Sequence, residues 1–219
     1  MSARASSAPR PKLQPPISGV FRARSVRHVL EPIQCEAVTI GIPPACLPTS
    51  PSGLDVRAAG DLDDLTAALL RRRGIVGVVV ERTACERSIQ AVERIRATSR
   101  RMPILLVGLE DERWPGSTGG IFSCDNGQLG DLGRDFFAYC EQRALHCHRK
   151  IDEFAGRHRL TGAEADLLWR YAMGIRSGDL DRAQGVGRDT KKERIASIRT
   201  KTMLDELDDV IDVALDRWL

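Results

Sequence analysis

The sequence predicts an α/β domain with a mostly parallel sheet and reduced helices, followed by an all-α domain of four helices. Three observations predict it. Between residues 35 and 145, short β-branched runs alternate with stretches of helical periodicity, the pattern of strands joined by crossover helices. Residues 160–202 then hold three short helical patterns separated by glycine-containing breaks, and residues 203–219 hold a fourth. Finally, 42% of the 219 residues are apolar, enough to build one or two cores, yet no apolar run approaches the roughly twenty residues of a membrane span. No membrane partner is expected.

In the α/β half, residues 37–42 and 54–58 read as strands, and Asp61 caps a helix carrying Leu65, Leu69 and Leu70. Residues 75–80 are almost continuously apolar, as expected of a central strand. A helix over 86–99 turns Ile89, Val92 and Ile95 inward, and residues 103–107 and 120–124 supply a fourth and fifth strand. A helix over 132–145 closes this half and continues as a helical linker over 146–158. The link 43–53 contains four prolines, which removes the helix expected between the first two strands. The link 110–119, with Trp114, Pro115 and Gly116, is too short for a helix and its turns. Crossovers without helices are unusual. Either one strand runs differently, or the bare face is covered by the N-terminal segment; Trp114 either folds over the core edge or meets a partner.

Residues 1–34 are rich in Ser, Pro and Arg and lack apolar periodicity, so they read as a disordered basic tail. Residues 1–30 hold six basic side chains and no acidic one. A plain solvated tail, a cationic arm for phosphates and a transit peptide are its three readings. The six cysteines show no paired spacing and are expected reduced and mostly buried. Cys140, His146, Cys147 and His148 lie close in sequence, but an adjacent His-Cys-His points its ligands apart, so no metal or cofactor is expected. No nucleophile–base pair, glycine-rich phosphate loop or spaced carboxylate pair marks an enzyme.

The helical half opens on Thr161 and Glu164, spaced as a capping box. Leu160, Leu167, Leu168, Tyr171 and Ala172 then make one apolar face, which Gly174 terminates. A second helix over 177–183 carries Leu180. After Gly185, Val186 and Gly187 a third helix, capped by Asp189 or Arg188, turns Ile195 and Ile198 inward. It holds Arg188, Lys191, Lys192, Arg194, Arg199 and Lys201 against Asp189 and Glu193. Such charge suits a helix lying between phosphates, although a merely solvated helix would carry it equally well. In the last helix Leu204, Leu207, Ile211, Leu215 and Trp218 form a stripe opposite Asp205, Asp208, Asp209, Asp212 and Asp216.

Leu160, Thr161, Glu164, Leu167, Leu168, Ala172, Gly174, Leu180, Val186, Thr190, Lys192, Ile198 and Lys201 stand in one register. That register resembles the C-terminal DNA-binding domain of NarL/LuxR-type response regulators over residues 159–219. Departures fall at Gln184 and Thr202, where the family has Leu, at Lys191, where it has Val, and at Arg194, where it has His. Residues 54–108 resemble the receiver domain that precedes it. There the family's acidic pair falls at Gly41, Ile42 and Pro43, its phosphoacceptor on Glu81, its hydroxyl on Gly108 and its Lys near Cys124. None of those groups is present, which makes this a degenerate, pseudo-receiver version.

The resemblance implies an atypical response regulator: a cytoplasmic, nucleoid-associated bacterial transcription regulator, not an enzyme and not controlled by Asp phosphorylation. It would bind double-stranded DNA as a homodimer, with RNA polymerase or another regulator as a further partner. By motif position Lys192, Glu193, Ala196 and Ser197 face bases, Arg188, Thr190, Arg199 and Lys201 hold phosphates, and Lys191 and Arg194 complete the DNA-binding set. Leu207, Ile211, Leu215 and Trp218 would form the dimer contact. The alternative reading is a protein-interaction and assembly module, in which the helical half drives oligomerisation; the off-pattern Gln184 and Lys191 support it.

Overall fold

The computed structural model describes residues 28–49, 54–82, 86–108 and 120–216. Strands β1 (Glu36–Ile40), β2 (Asp55–Ala58), β3 (Ile75–Arg82), β4 (Ile104–Gly108) and β5 (Ile121–Cys124) form one sheet in the order β2-β1-β3-β4-β5, with every pairing parallel. This is the flavodoxin-like doubly wound order, in which a crevice opens at the carboxyl ends where the strand order reverses beside β1. Its central strand β3 is buried along residues 75–80, which is why that stretch reads as an unbroken apolar run.

Helices α1 (Leu62–Arg71) and α2 (Glu86–Thr98) lie on one face of the sheet. They bury Leu65, Leu69, Val92 and Ile95 against Val38, Val78, Val80 and Leu106. Asp61 caps α1, its Oδ1 accepting from the amides of Asp63 and Asp64 at 2.9 and 2.7 Å. Ile89, expected inward, is instead exposed, because the sheet-facing stripe of α2 runs through Ala91, Val92 and Ile95.

The opposite face is covered by α3 (Leu129–His158), a single 30-residue helix. A register shift at Glu36/Ala37 turns Gly77 toward it. A Cβ on Gly77 would stand 2.7 Å from Cys140 Sγ, so glycine is what lets α3 seat this close. The place of the missing first helix is filled by chain that the sequence leaves irregular. Between β1 and β2 the described residues hold only a 3-10 turn, Pro44–Cys46, and Leu30, Cys35, Ile42 and Leu54 join the core beneath α3.

Two expectations about boundaries are thereby corrected. Residues 28–34 are not a loose tail: Leu30 is buried, and the amides of Val29 and Leu30 both donate to Asp152 Oδ1 at 2.7 Å while His28 meets Oδ2. Residues 1–27 lie outside the described residues. Nor is 146–158 a linker. It is the second half of α3, and Cys147, Ile151, Phe154 and Ala155 are buried in the same apolar cluster as the sheet and the helical half. The reason is that α3 is amphipathic along its full length, about 45 Å, and each half finds a different partner.

The two halves also join elsewhere. Arg170 Nη1 donates to the Leu70 carbonyl at 3.2 Å, Arg73 pairs with Asp166, and Ser99 forms an antiparallel bridge with Ile175. The segment 109–119, including Trp114, lies outside the described residues. No described helix is long and apolar enough to cross a membrane.

Candidate nucleic-acid interface

The helical half consists of α4 (Gly162–Ala172), a 3-10 turn Ser177–Asp179 running into α5 (Leu180–Gln184), α6 (Arg188–Thr202) and α7 (Leu207–Ala214). The capping box forms: the Thr161 amide donates to Glu164 Oε2 at 2.6 Å and the Glu164 amide to Thr161 Oγ1 at 3.3 Å. Gly185, with φ 65, ends α5 in the left-handed conformation that glycine favours, and Gly187 rather than Asp189 or Arg188 stands at the cap of α6. Helices α5 and α6 with their glycine turn form a helix-turn-helix, held from behind by α4 and α7.

α6 has two unlike faces. Its inner face carries Ile198, fully buried, with Ile195 beside it. Four predicted DNA contacts share that face. Lys201 Nζ donates to both oxygens of Glu164, at 2.9 and 2.7 Å, and Ser197 bonds the same carboxylate. Burial pushes the Glu164 carboxyl up, but the bonds from Lys201, Ser197 and Thr161 outweigh it and hold it below the usual range. Arg194 Nη1 donates to Gln184 Oε1 at 2.8 Å. Lys191 Nζ donates to the Ser177 carbonyl at 3.1 Å and lies 3.5 Å from Asp181 Oδ1, whose carboxyl is held low. Lys191, Arg194, Ser197 and Lys201, expected at DNA, thus each meet a polar partner within the fold.

The outer face presents Arg188, Asp189, Thr190, Lys192, Glu193, Ala196, Arg199 and Thr200, followed by Met203 at the helix end. Arg188 and Lys192 are 84% and 75% exposed, and α6 packs mainly on α4, α5 and α7, leaving this face clear of the sheet half. Sequence reasoning missed Thr200, Met203 and Asp181. The first two follow once the phase is set by Lys192 and Ala196, since 192, 196, 199, 200 and 203 share one side of a 3.6-residue helix. Asp181 carries no sequence signal, because its partner Lys191 sits on another helix.

The predicted dimer stripe is used inside the chain. Leu207, Ile211 and Leu215 are only 6%, 0% and 8% exposed, packed in the common core, and so offer nothing to a second copy. Trp218 lies outside the described residues. The described part of the stripe is consumed because α7 is only eight residues long and covers α3, α4 and α6.

At the strand ends, a cleft of about 390 Å³ opens beside β1 and β3, lined among others by Ile40, Gly41, Asp61, Glu81 and Ser88. Glu81 lies across Gly41, where a Cβ would stand 2.7 Å from its Oε2. Asp61 is committed to capping α1. The sequence contains no lysine between Lys12 and Lys150, so no lysine of the α/β half can reach this cleft. Among the described residues no three His, Cys, Asp or Glu side chains converge as a metal site. Cys140 and Cys147 turn into the core, where burial raises the Cys140 thiol well above its usual range, and His148 Nε2 lies 2.9 Å from the Glu31 carbonyl.

The architecture is that of a receiver-like α/β domain followed by a helical helix-turn-helix domain. No family model and no curated protein matches the chain. Solved structures do. The response regulator StyR is 16% identical, covering 84% of this chain and 99% of its own, with a TM-score of 0.34. Full-length FixJ from B. japonicum is 16% identical over 85% of this chain and 99% of its own, with a TM-score of 0.36. A structure of two RcsB dimers bound to two parallel DNAs is 13% identical over 83% and 98%, with a TM-score of 0.32. The likeness is loose and says nothing of what this chain binds.

Proposed function

We propose that the chain is a DNA-binding transcriptional regulator of the NarL/LuxR type whose α/β half is not switched by aspartyl phosphorylation. The observation that carries this reading is the division of α6. Its inner cations are bonded within the fold, while Arg188, Lys192 and Arg199, within 3.9, 3.6 and 3.3 Å of Asp181, Asp189 and Glu206, stand outward with Thr190, Glu193, Ala196 and Thr200 on a face free of the sheet. A helix so held fits a major groove, with Arg188, Thr190 and Arg199 at phosphates and Lys192, Glu193 and Ala196 toward base edges. Asp209 and Asp212 of α7 are repelled by a duplex and belong on its far side, whereas Asp208 is bonded to the Tyr171 hydroxyl.

Phosphoryl transfer needs a metal-binding carboxylate pair and a cation to offset the transferring charge. Gly41, Ile42 and Pro43 offer no carboxylate, and the α/β half has no lysine. Glu81 stands as a fixed carboxylate where the acceptor would be. The dimer that the resemblance implies would form through a surface other than Leu207, Ile211 and Leu215. Gln184 and Lys191, which favoured an assembly role for the helical half, both have partners inside the fold.

Genome-wide mapping of the full chain on DNA tests the reading. Discrete sites that vanish in an Arg188→Ala/Lys192→Ala variant support it, and a profile no different from a non-binding control contradicts it.

A further inference from the structure

The DNA reading above, on which this inference rests, uses only the helical half; the joint between the halves extends it. At the end of α2 the two halves meet backbone to backbone. The Arg100 amide donates to the Gly174 carbonyl at 3.0 Å, the Arg176 amide to the Thr98 carbonyl at 3.3 Å, and Ser99 Oγ to the Met173 carbonyl at 3.2 Å. Gly174, at φ 104, has no room for a side chain, since a Cβ would stand 2.6 Å from the Arg101 amide nitrogen.

This close approach gathers Arg100, Arg101 and Arg176 around a cleft of about 100 Å³ backed by Tyr171. The one carboxylate lining the cleft, Asp208, already accepts the Tyr171 hydroxyl at 2.9 Å. Among the described residues none of the three guanidinium groups has an ion-pair partner. Arg176 spends one donor on the Arg96 carbonyl, and Arg101 Nη1 is buried with no acceptor. A buried cationic donor without an acceptor is unfavourable, so Arg101 Nη1, with the exposed Arg100 and Arg176 guanidinium groups beside it, calls for an anion from outside. Guanidinium forks match phosphate oxygens in pairs.

The cleft is also well placed. The Ser177 carbonyl, next to Arg176, accepts from Lys191 in the first turns of α6. The cleft therefore adjoins the end of α6 at which Arg188 and Lys192 face outward. We propose that Arg100, Arg101 and Arg176 hold a phosphate group of the duplex backbone flanking the groove entered by α6. The α/β half then binds DNA directly and fixes the angle at which α6 is presented.

The test is the binding of a labelled short duplex to the full chain across a salt series, for wild type and for Arg100→Gln/Arg101→Gln, which leaves the backbone joint in place. The proposal predicts weaker binding to cognate and scrambled duplex alike, with the slope of log K against log salt reduced by about one. Arg134→Gln, on the far α3 surface, should change nothing. If wild type binds but the double variant keeps its affinity and slope, the inference fails and the DNA reading stands. If wild type binds no duplex, the DNA reading fails, and melting in inorganic phosphate decides the cleft. A phosphate-dependent rise in Tm that the double variant loses then keeps an anion site, and equal melting overturns it.

Discussion

Arg194 and Gln184 satisfy each other across the helix-turn-helix: Nη1 of one donates to Oε1 of the other at 2.8 Å. Gln184 Nε2 completes the arrangement by donating to the Ala163 carbonyl and Asp166, at 3.0 and 3.1 Å. Both residues depart from the resembled motif, and they do so together, so an apolar contact is replaced by a polar one with its groups paired. Gln184→Leu should therefore cost about 1–3 kcal/mol by leaving a half-buried guanidinium without its acceptor. Combined with Arg194→His, the loss should be smaller than the sum, with a coupling of about 0.5–3 kcal/mol in urea titrations. Simple additivity would show that the pair does not matter to the fold.

Acid should loosen the chain at two defined places. The carboxyls of Glu164 and Asp152 both titrate below their usual range, because hydrogen bonds outweigh burial. Each therefore contributes stability that is full above the ordinary carboxylate pKa of about 4 and is lost as pH falls through the lower, folded value. Urea midpoints should hold steady near neutrality and fall below about pH 4. Asp152→Asn should flatten that fall by freeing the 28–30 segment, and an unchanged pH profile would remove the Asp152 clip from the account.

Local signals in the sequence translated directly into structure. Asp61, the Thr161–Glu164 box and the stop at Gly174 each depend on backbone groups within a few residues, and all three appear as expected. The order of strands and helices was legible for the same reason. What could not be read was long-range. Nothing near His28 announces that Asp152, 124 residues away, will anchor it. The second half of α3 looks like an exposed connector until α4 and α7 are laid against it. The division of α6 into inward and outward cations was hidden because Glu164, Asp181 and Gln184 reach it from two other helices.

Gly174 holds the joint between the halves. Gly174→Ala would strain a φ of 104 and drive a methyl group into the Arg101 backbone. Calorimetry should show one unfolding transition in wild type, split or broadened in the variant as the halves separate. A single sharp transition at the wild-type Tm would contradict the close approach.

Ile211 distinguishes core from interface. With its side chain fully buried, Ile211→Ala should lower stability by about 2–5 kcal/mol as the cavity opens. Denaturation and sedimentation together check this. A shift in oligomeric state without loss of monomer stability would restore α7 as a dimer surface.

The central claim is that the outward cations of α6 enter a duplex. Affinity of the full chain for its mapped sites, measured as salt is raised, tests it most directly. The account predicts a steep fall in log K with log salt, by about 0.9 for each phosphate contacted, and a further loss of roughly 1–3 kcal/mol for Lys192→Ala. Binding indifferent both to salt and to Lys192→Ala would contradict it.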